Sequence, residues 1–166
     1  MLDHFFNYQN KKSMNRIKVD LPNQFLFKTE IAVRITDLNY GGHVGNDAML
    51  SLVHEARVQF FMSEGFKSEL DIMGLGVIMA DVAMQFKGEG FYGNVFEVYV
   101  TVGGLSSSGF DLYYKFIDMD SRREILKVKT GMVLFDYKTR KIATLPQELK
   151  ERWQLPHPES RLISNE

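Results

Sequence analysis

Between residues 27 and 35 apolar and polar positions change places one for one: Phe27, Thr29, Ile31, Val33 and Ile35 alternate with Lys28, Glu30, Ala32 and Arg34. A period of two puts successive side chains on opposite faces, so this segment reads as a strand with one buried face. The period then changes. From about Asp47 to Glu64 the residues Met49, Leu52, Val53, Ala56 and Phe60 form one helical stripe, and Leu50, Val58 and Phe61 widen it beyond that of an ordinary surface helix. The polar remainder, Asp47, Ser51, Glu55 and Gln59, steps by four along one edge. Asn46 is the expected N-cap and Gly65 the expected stop. After Gly74 and Gly76 strand alternation returns over about 77–87, 95–102, 110–118 and 124–137. Turn residues at 88–93, 103–109 and 118–121 separate these runs, which predicts consecutive antiparallel hairpins. Pro146 suits the first turn of a short closing helix that reaches Trp153.

One strand, one long apolar helix and four strands make an α+β chain. A helix apolar on most sides needs cover, and a curved, antiparallel, five-stranded sheet wrapped around it supplies that cover. A free sheet edge invites a strand from a second copy, so a homodimer or homotetramer is expected. Residues 1–22 are read as an N-terminal extension, with Met14 as an alternative start. Residues 23–154 form the folded domain and 155–166 a loose tail.

Composition narrows the chemistry. The 166 residues contain 20 Lys plus Arg against 21 Asp plus Glu, so no overall field would draw nucleic acid or an anionic membrane. No cysteine is present, which removes disulfides, thiolate metal sites and a Cys nucleophile, and fits a cytoplasmic location. No apolar run approaches the roughly 20 residues that span a bilayer. His4, His43, His54 and His157 lack zinc-ligand spacing, so no metal or other cofactor is expected. Gly88 to Gly93 matches GxGxxG, but between two strands with no helix after it the motif reads as a hairpin turn.

The stretch from Asp37 to Asn46 stands apart, because it packs polar groups and three glycines against the start of the apolar helix. Backbone N–H groups of Val44, Gly45 and Asn46 there, at the positive end of the helix dipole, suit a developing oxyanion. Gly41, Gly42 and Gly45 allow a ligand close to the backbone. A neighbouring carboxylate or imidazole would activate water.

Here the chain resembles a known family. Residues 33–39 (VRITDLN), Gly42-His43-Val44-Gly45-Asn46 and His54-Glu55-Ala56-Arg57 resemble the V-R-x-x-D-x-D-x-x-G-H-V-N-N and E-A-R pattern of the 4-hydroxybenzoyl-CoA thioesterase-like hot-dog family. Tyr92-Gly93-Asn94, Thr139-Arg140-Lys141 and 145–149 (LPQEL) agree as well, so the likeness runs from about Phe25 to Trp153. It implies a hot-dog fold and hydrolysis of an acyl-CoA or related thioester. It also implies a loop carboxylate at the second Asp of D-x-D, a position held here by Asn39, and an amide cannot act as base. The catalytic candidates are therefore Asn39, His43, Glu55 and Asp37, and the substrate-binding candidates Tyr40, Gly42, Val44, Gly45 and Asn46. Each has a structural reading beside the functional one: Asp37 as a turn or cap group, His43 as a packed loop residue, Asn39 as a backbone partner, and Glu55 as part of a solvated helix edge. Lys127, Lys129, Lys138, Arg140 and Lys141 are candidate partners for a coenzyme A phosphate. The alternative function is a non-catalytic hot-dog protein that binds acyl-CoA or a related ligand.

Overall fold

The computed structural model describes residues 15–154. The elements are β1 (Phe27–Ala32), a 3-10 turn (Ile35–Asp37), α1 (Asn46–Ser63), β2 (Gly76–Phe86), β3 (Val95–Gly103), β4 (Gly109–Asp118), β5 (Glu124–Asp136), β6 (Lys141–Ile142) and α2 (Gln147–Gln154). The strands form one antiparallel sheet in the order β1-β3-β4-β5-β2, with β6 attached to β5. This is the α+β hot-dog arrangement: a sheet curled around α1.

The alternation read in the sequence explains the core. Phe96, Val98 and Val100 from β3 and Leu112, Tyr114 and Phe116 from β4 turn inward against Met49, Leu52, Val53, Ala56, Phe60 and Phe61 of α1. Phe61 is fully buried, with its ring centroid 5.5 Å from Phe60 and 6.3 Å from Phe110. One member of the helix's buried set is charged. Arg57 is paired with Glu69 from the loop after α1, so its charge is neutralised where water is scarce. At the far end, Trp153 of α2 packs on Phe110 at 4.7 Å and donates its indole N–H to Glu64 at 3.1 Å. That contact fixes α2 against the end of α1.

Three expectations need correction. β1 ends at Ala32, and Ile35 lies in the 3-10 turn, 67% exposed, because the Asp37 carboxylate accepts the Arg34 N–H and turns the chain. Gly45, not Asn46, is the N-cap; Asn46 is already helical. The largest departure is topological: β2 and β3 do not form a hairpin. β2 pairs with β5 at the far edge, so the loop from residue 87 to 94 is a crossover, and only β3-β4 and β4-β5 are the hairpins expected. Gly65 does end the helix in the left-handed region, with φ of 86°.

The segment before β1 is a strap on the outer face of the sheet. Tyr99, Lys115, Lys127 and Gln85 lie opposite one another in adjacent strands, a row across that face. The Val19 N–H donates to Gln85 Oε1 at 3.1 Å, and the Phe25 ring sits 5.6 Å from Tyr99, so the strap spans this row from β2 to β3. Val19 and Phe25 are both buried. Residues 1–14 of the expected extension and the expected tail from residue 155 lie outside the described residues. Among the described residues no helix is long and apolar enough to cross a membrane.

Candidate active site

The chain between the 3-10 turn and α1 is a small hairpin-like loop. Leu38 bridges Val44, the Asn39 N–H donates to the His43 carbonyl at 2.9 Å, and the Gly42 N–H donates to the Asn39 carbonyl at 3.0 Å. Gly42 closes the turn with φ of 79°, a conformation costly for any residue with a Cβ. Two further bonds moor the loop. The Gly45 N–H donates to the Asp37 carbonyl at 3.0 Å, and the Val44 N–H donates to the Gly90 carbonyl of the crossover at 2.8 Å. The amides of Val44 and Gly45 are thus engaged within the protein. Those of Asn46, Asp47 and Ala48 precede the first carbonyl that α1 can offer them.

Asn39 and His43 are brought together. Asn39 Oδ1 accepts the Gly41 N–H at 2.8 Å, which leaves Nδ2 facing His43 Nδ1 at 3.4 Å. Both line a cleft of about 300 Å³ with Val44, Asn46, Met49, Phe86, Gly88, Glu89 and Gly90. Met49 and Phe86 make its apolar walls, while Asn39, His43 and the first turn of α1 supply the polar side. Gly90 is required by space: a Cβ there would stand 2.4 Å from Phe96 Cζ, and Phe96 is fully buried.

The other candidates lie apart from this cleft. Asp37 is buried, and its carboxylate accepts the Arg34 N–H at 2.8 Å and the Arg34 guanidinium at 3.1 and 3.3 Å. Burial alone would raise its pKa, but the hydrogen bonds and charge of Arg34 prevail and hold it below the ordinary value. Glu55 is exposed on the helix edge and accepts a bond from Gln59 Nε2 at 2.7 Å. Tyr40 is fully exposed at the loop tip beside Gly42. Among the described residues no group of three or more His, Asp or Glu is placed to hold a metal ion.

Phe86, Gly88, Glu89 and Gly90 are not among the site candidates of the sequence, which reads 88–93 as a turn. Their signal was the glycine-rich run itself, which reads equally as a hairpin turn until β2 is known to cross the sheet. Lys127 and Lys129, candidates for a phosphate, are in ion pairs: Lys127 with Glu124 at 3.6 Å, and Lys129 with Asp81 at 2.9 Å and Asp111 at 3.0 Å.

A hot-dog sheet, a polar loop entering the buried helix and an apolar cleft at that junction are the frame in which the family likeness falls. The chain belongs to the Thioesterase-like superfamily, which it matches over residues 33–153. It is 30% identical over 128 residues to the "Putative esterase" of Aquifex aeolicus (strain VF5), covering 76% of this chain and 95% of that one. Among solved structures it resembles a 1,4-dihydroxy-2-naphthoyl-CoA thioesterase from Synechocystis, with 24% identity, a TM-score of 0.70, and 81% of this chain and 99% of that one covered. It also resembles a hypothetical protein from Aquifex aeolicus, with 27% identity, a TM-score of 0.68, and coverage of 77% and 99%. A gentisyl-coenzyme A thioesterase shares the fold at 21% identity and a TM-score of 0.66, with 75% and 99% covered.

Proposed function

We propose that the protein hydrolyses acyl-CoA, or a related acyl thioester, to the free acid and thiol. The observation that carries this reading is the convergence of Asn39, His43 and the first turn of α1 on one cleft whose remaining walls include Met49 and Phe86. An apolar wall suits the acyl group. The thioester carbonyl, directed at the amides of Asn46, Asp47 and Ala48, which have no carbonyl partner within α1, meets the positive end of the helix dipole, and that interaction strengthens as the oxygen gains charge.

The Gly41 amide orients Asn39 so that its Nδ2–H faces His43 Nδ1. A neutral ring that accepts at Nδ1 carries its proton on Nε2, where it holds the departing sulfur by a hydrogen bond; the proton that the thiolate finally takes up is the one removed from water. Water must then lose its proton to a carboxylate. Asp37 is committed to Arg34, and Glu55 stands nine residues along α1 from Asn46, about 13 Å at 1.5 Å per residue. Glu55 therefore serves the cleft of a second copy. Support for a homodimer or homotetramer comes from β2, which ends the strand order and leaves Ile78 and Val82 exposed for another strand to cover.

Purified protein offered short, long and aromatic acyl-CoAs should release free thiol; no turnover above background on any of them defeats the reading. Asn39 favours a second reading, a non-catalytic protein that binds acyl-CoA. Gain of activity by Asn39→Asp in an inactive parent would support it, and loss of an existing activity in His43→Ala or Glu55→Ala, with the fold intact, would exclude it.

A further inference from the structure

Beside the cleft lies a second, larger hollow of about 540 Å³, lined by Arg16, Ile17, Met84, Gln85, Phe86 and Lys87. Phe86 belongs to both, so the two hollows adjoin at the end of β2. The first is lined by an acidic group, Glu89; the second has cations and no carboxylate. Arg16 and Lys87 are exposed, and among the described residues neither is in an ion pair. They reach the hollow from different parts of the chain. Lys87 follows the last residue of β2, and its N–H is held by the Ile125 carbonyl at 2.9 Å. Arg16 comes from the strap, which the Val19 N–H fastens to Gln85, the residue two before Lys87.

The strap lies before residue 33, where the superfamily match begins, so Arg16 is an addition to the common domain. The geometry points to a phosphate-binding subsite formed by Arg16 and Lys87, which holds the phosphate of a phosphopantetheine-bearing thiol carrier while the acyl thioester occupies the adjoining cleft. The inference rests on the proposed thioesterase reading for the identity of its ligand. Its physical basis is local: two unpaired cations converge on an open space, and such a pair attracts a dianion more than either does alone. Ile17, Met84 and Phe86 line the same hollow as the cations, and Phe86 also lines the cleft, which gives the uncharged pantetheine arm apolar surface at the junction of the two. The lysines of β5 do not compete for the phosphate, because Lys127 and Lys129 already have carboxylate partners.

The test compares the full-length protein with its Arg16→Ala/Lys87→Ala double variant by calorimetric titration of coenzyme A and of pantetheine, which lacks phosphate. Both substituted side chains are exposed, and a melting curve confirms that the fold is kept. Loss of two exposed charge pairs should weaken coenzyme A binding about five- to tenfold at low salt and leave pantetheine unchanged. Titrating 4′-phosphopantetheine separates the sources: if it weakens as coenzyme A does, the phosphate held is the one next to pantetheine, common to coenzyme A and acyl carrier protein. If only coenzyme A weakens, it is a phosphate of the nucleotide. Unchanged coenzyme A affinity, or equal losses for coenzyme A and pantetheine, overturns the subsite. Failure of the thioesterase reading is seen separately, as absence of turnover in the unsubstituted protein, since the titrations require no reaction.

Discussion

Removing the Asp37 carboxylate tests how the site loop is held. Asp37 accepts the Arg34 N–H at 2.8 Å, and the Asp37 main chain in turn accepts the Gly45 N–H, so one residue ties the end of β1 to the cap of α1. A hydrogen bond to a charged acceptor contributes about 1.5–3 kcal/mol, and the amide it satisfies would otherwise lose its partner. The Arg34 guanidinium is mostly exposed, so its ion pair adds little. Asp37→Ala should therefore cost about 2 kcal/mol at pH 7, read as a lower urea midpoint with an unchanged slope. The cost should also depend on pH. The folded pKa of Asp37 lies below its unfolded value of 3.8, so its stabilisation is complete above 3.8 and is lost as pH falls through the folded pKa. The difference between wild type and Asp37→Ala should shrink accordingly below pH 4. A difference under about 0.5 kcal/mol at pH 7, or one that stays constant down to pH 2.5, would refute the assignment of the loop's anchor to this carboxylate.

Four other outcomes follow from the same structure. Phe61→Ala, which empties a fully buried site against Phe60, Phe66 and Phe110, should lower stability by about 3–5 kcal/mol in urea titration. Gly90→Ala forces a Cβ toward Phe96 and Val44, so it should displace the crossover and reduce turnover as well as the melting temperature; unaltered kinetics would contradict the crossover's role as a cleft wall. His43→Ala should leave the melt nearly unchanged while reducing kcat about 10²- to 10⁴-fold on any thioester the wild type cleaves. Tyr114 is fully buried and hydrogen-bonded near Thr130; burial pushes its phenol up to about 12. Its neutral form thus stabilises the fold below pH 10, an effect lost as pH rises through 12, and Tyr114→Phe should be less sensitive to alkali in an ultraviolet-monitored titration.

The sequence displayed those features that depend on local period. The helix from 46 to 63 and the four later strands follow from the spacing of apolar residues, because burial on one face leaves that trace directly. Pairing leaves no such trace. The partner of Val82 is Thr130, and nothing near Val82 indicates this, so the run at 88–93 passed for a hairpin turn. The end of β1 was misplaced for a related reason: Ile35 continues the alternation, and only the Asp37 side chain, two residues later, turns the backbone away. At the site, the loop was legible as a place, since Asn39 and His43 are four residues apart and meet through a local turn. Its wall at Phe86 and Gly90 was not, because those residues arrive from across the sheet. The helix-start amides were legible as donors, yet the two that are engaged, Val44 and Gly45, have partners fixed by tertiary structure.

The position of β2 at the far edge also governs the order in which the chain can fold. Phe86 pairs with Leu126 and Gly76 with Phe135, so each residue of β2 waits for a partner 40 to 59 residues later in the chain. During synthesis, β2 leaves the ribosome well before β5 exists, and its apolar residues Ile78, Val82 and Phe86 have no neighbouring strand to receive them. Closure of such a long loop slows folding and prolongs the exposure of a strand able to pair with other chains. The cleft cannot be completed before that event, because Phe86 reaches its wall only when β2 docks on β5. Acquisition of ligand binding during refolding should therefore lag behind formation of α1 and the β3-β4 hairpin.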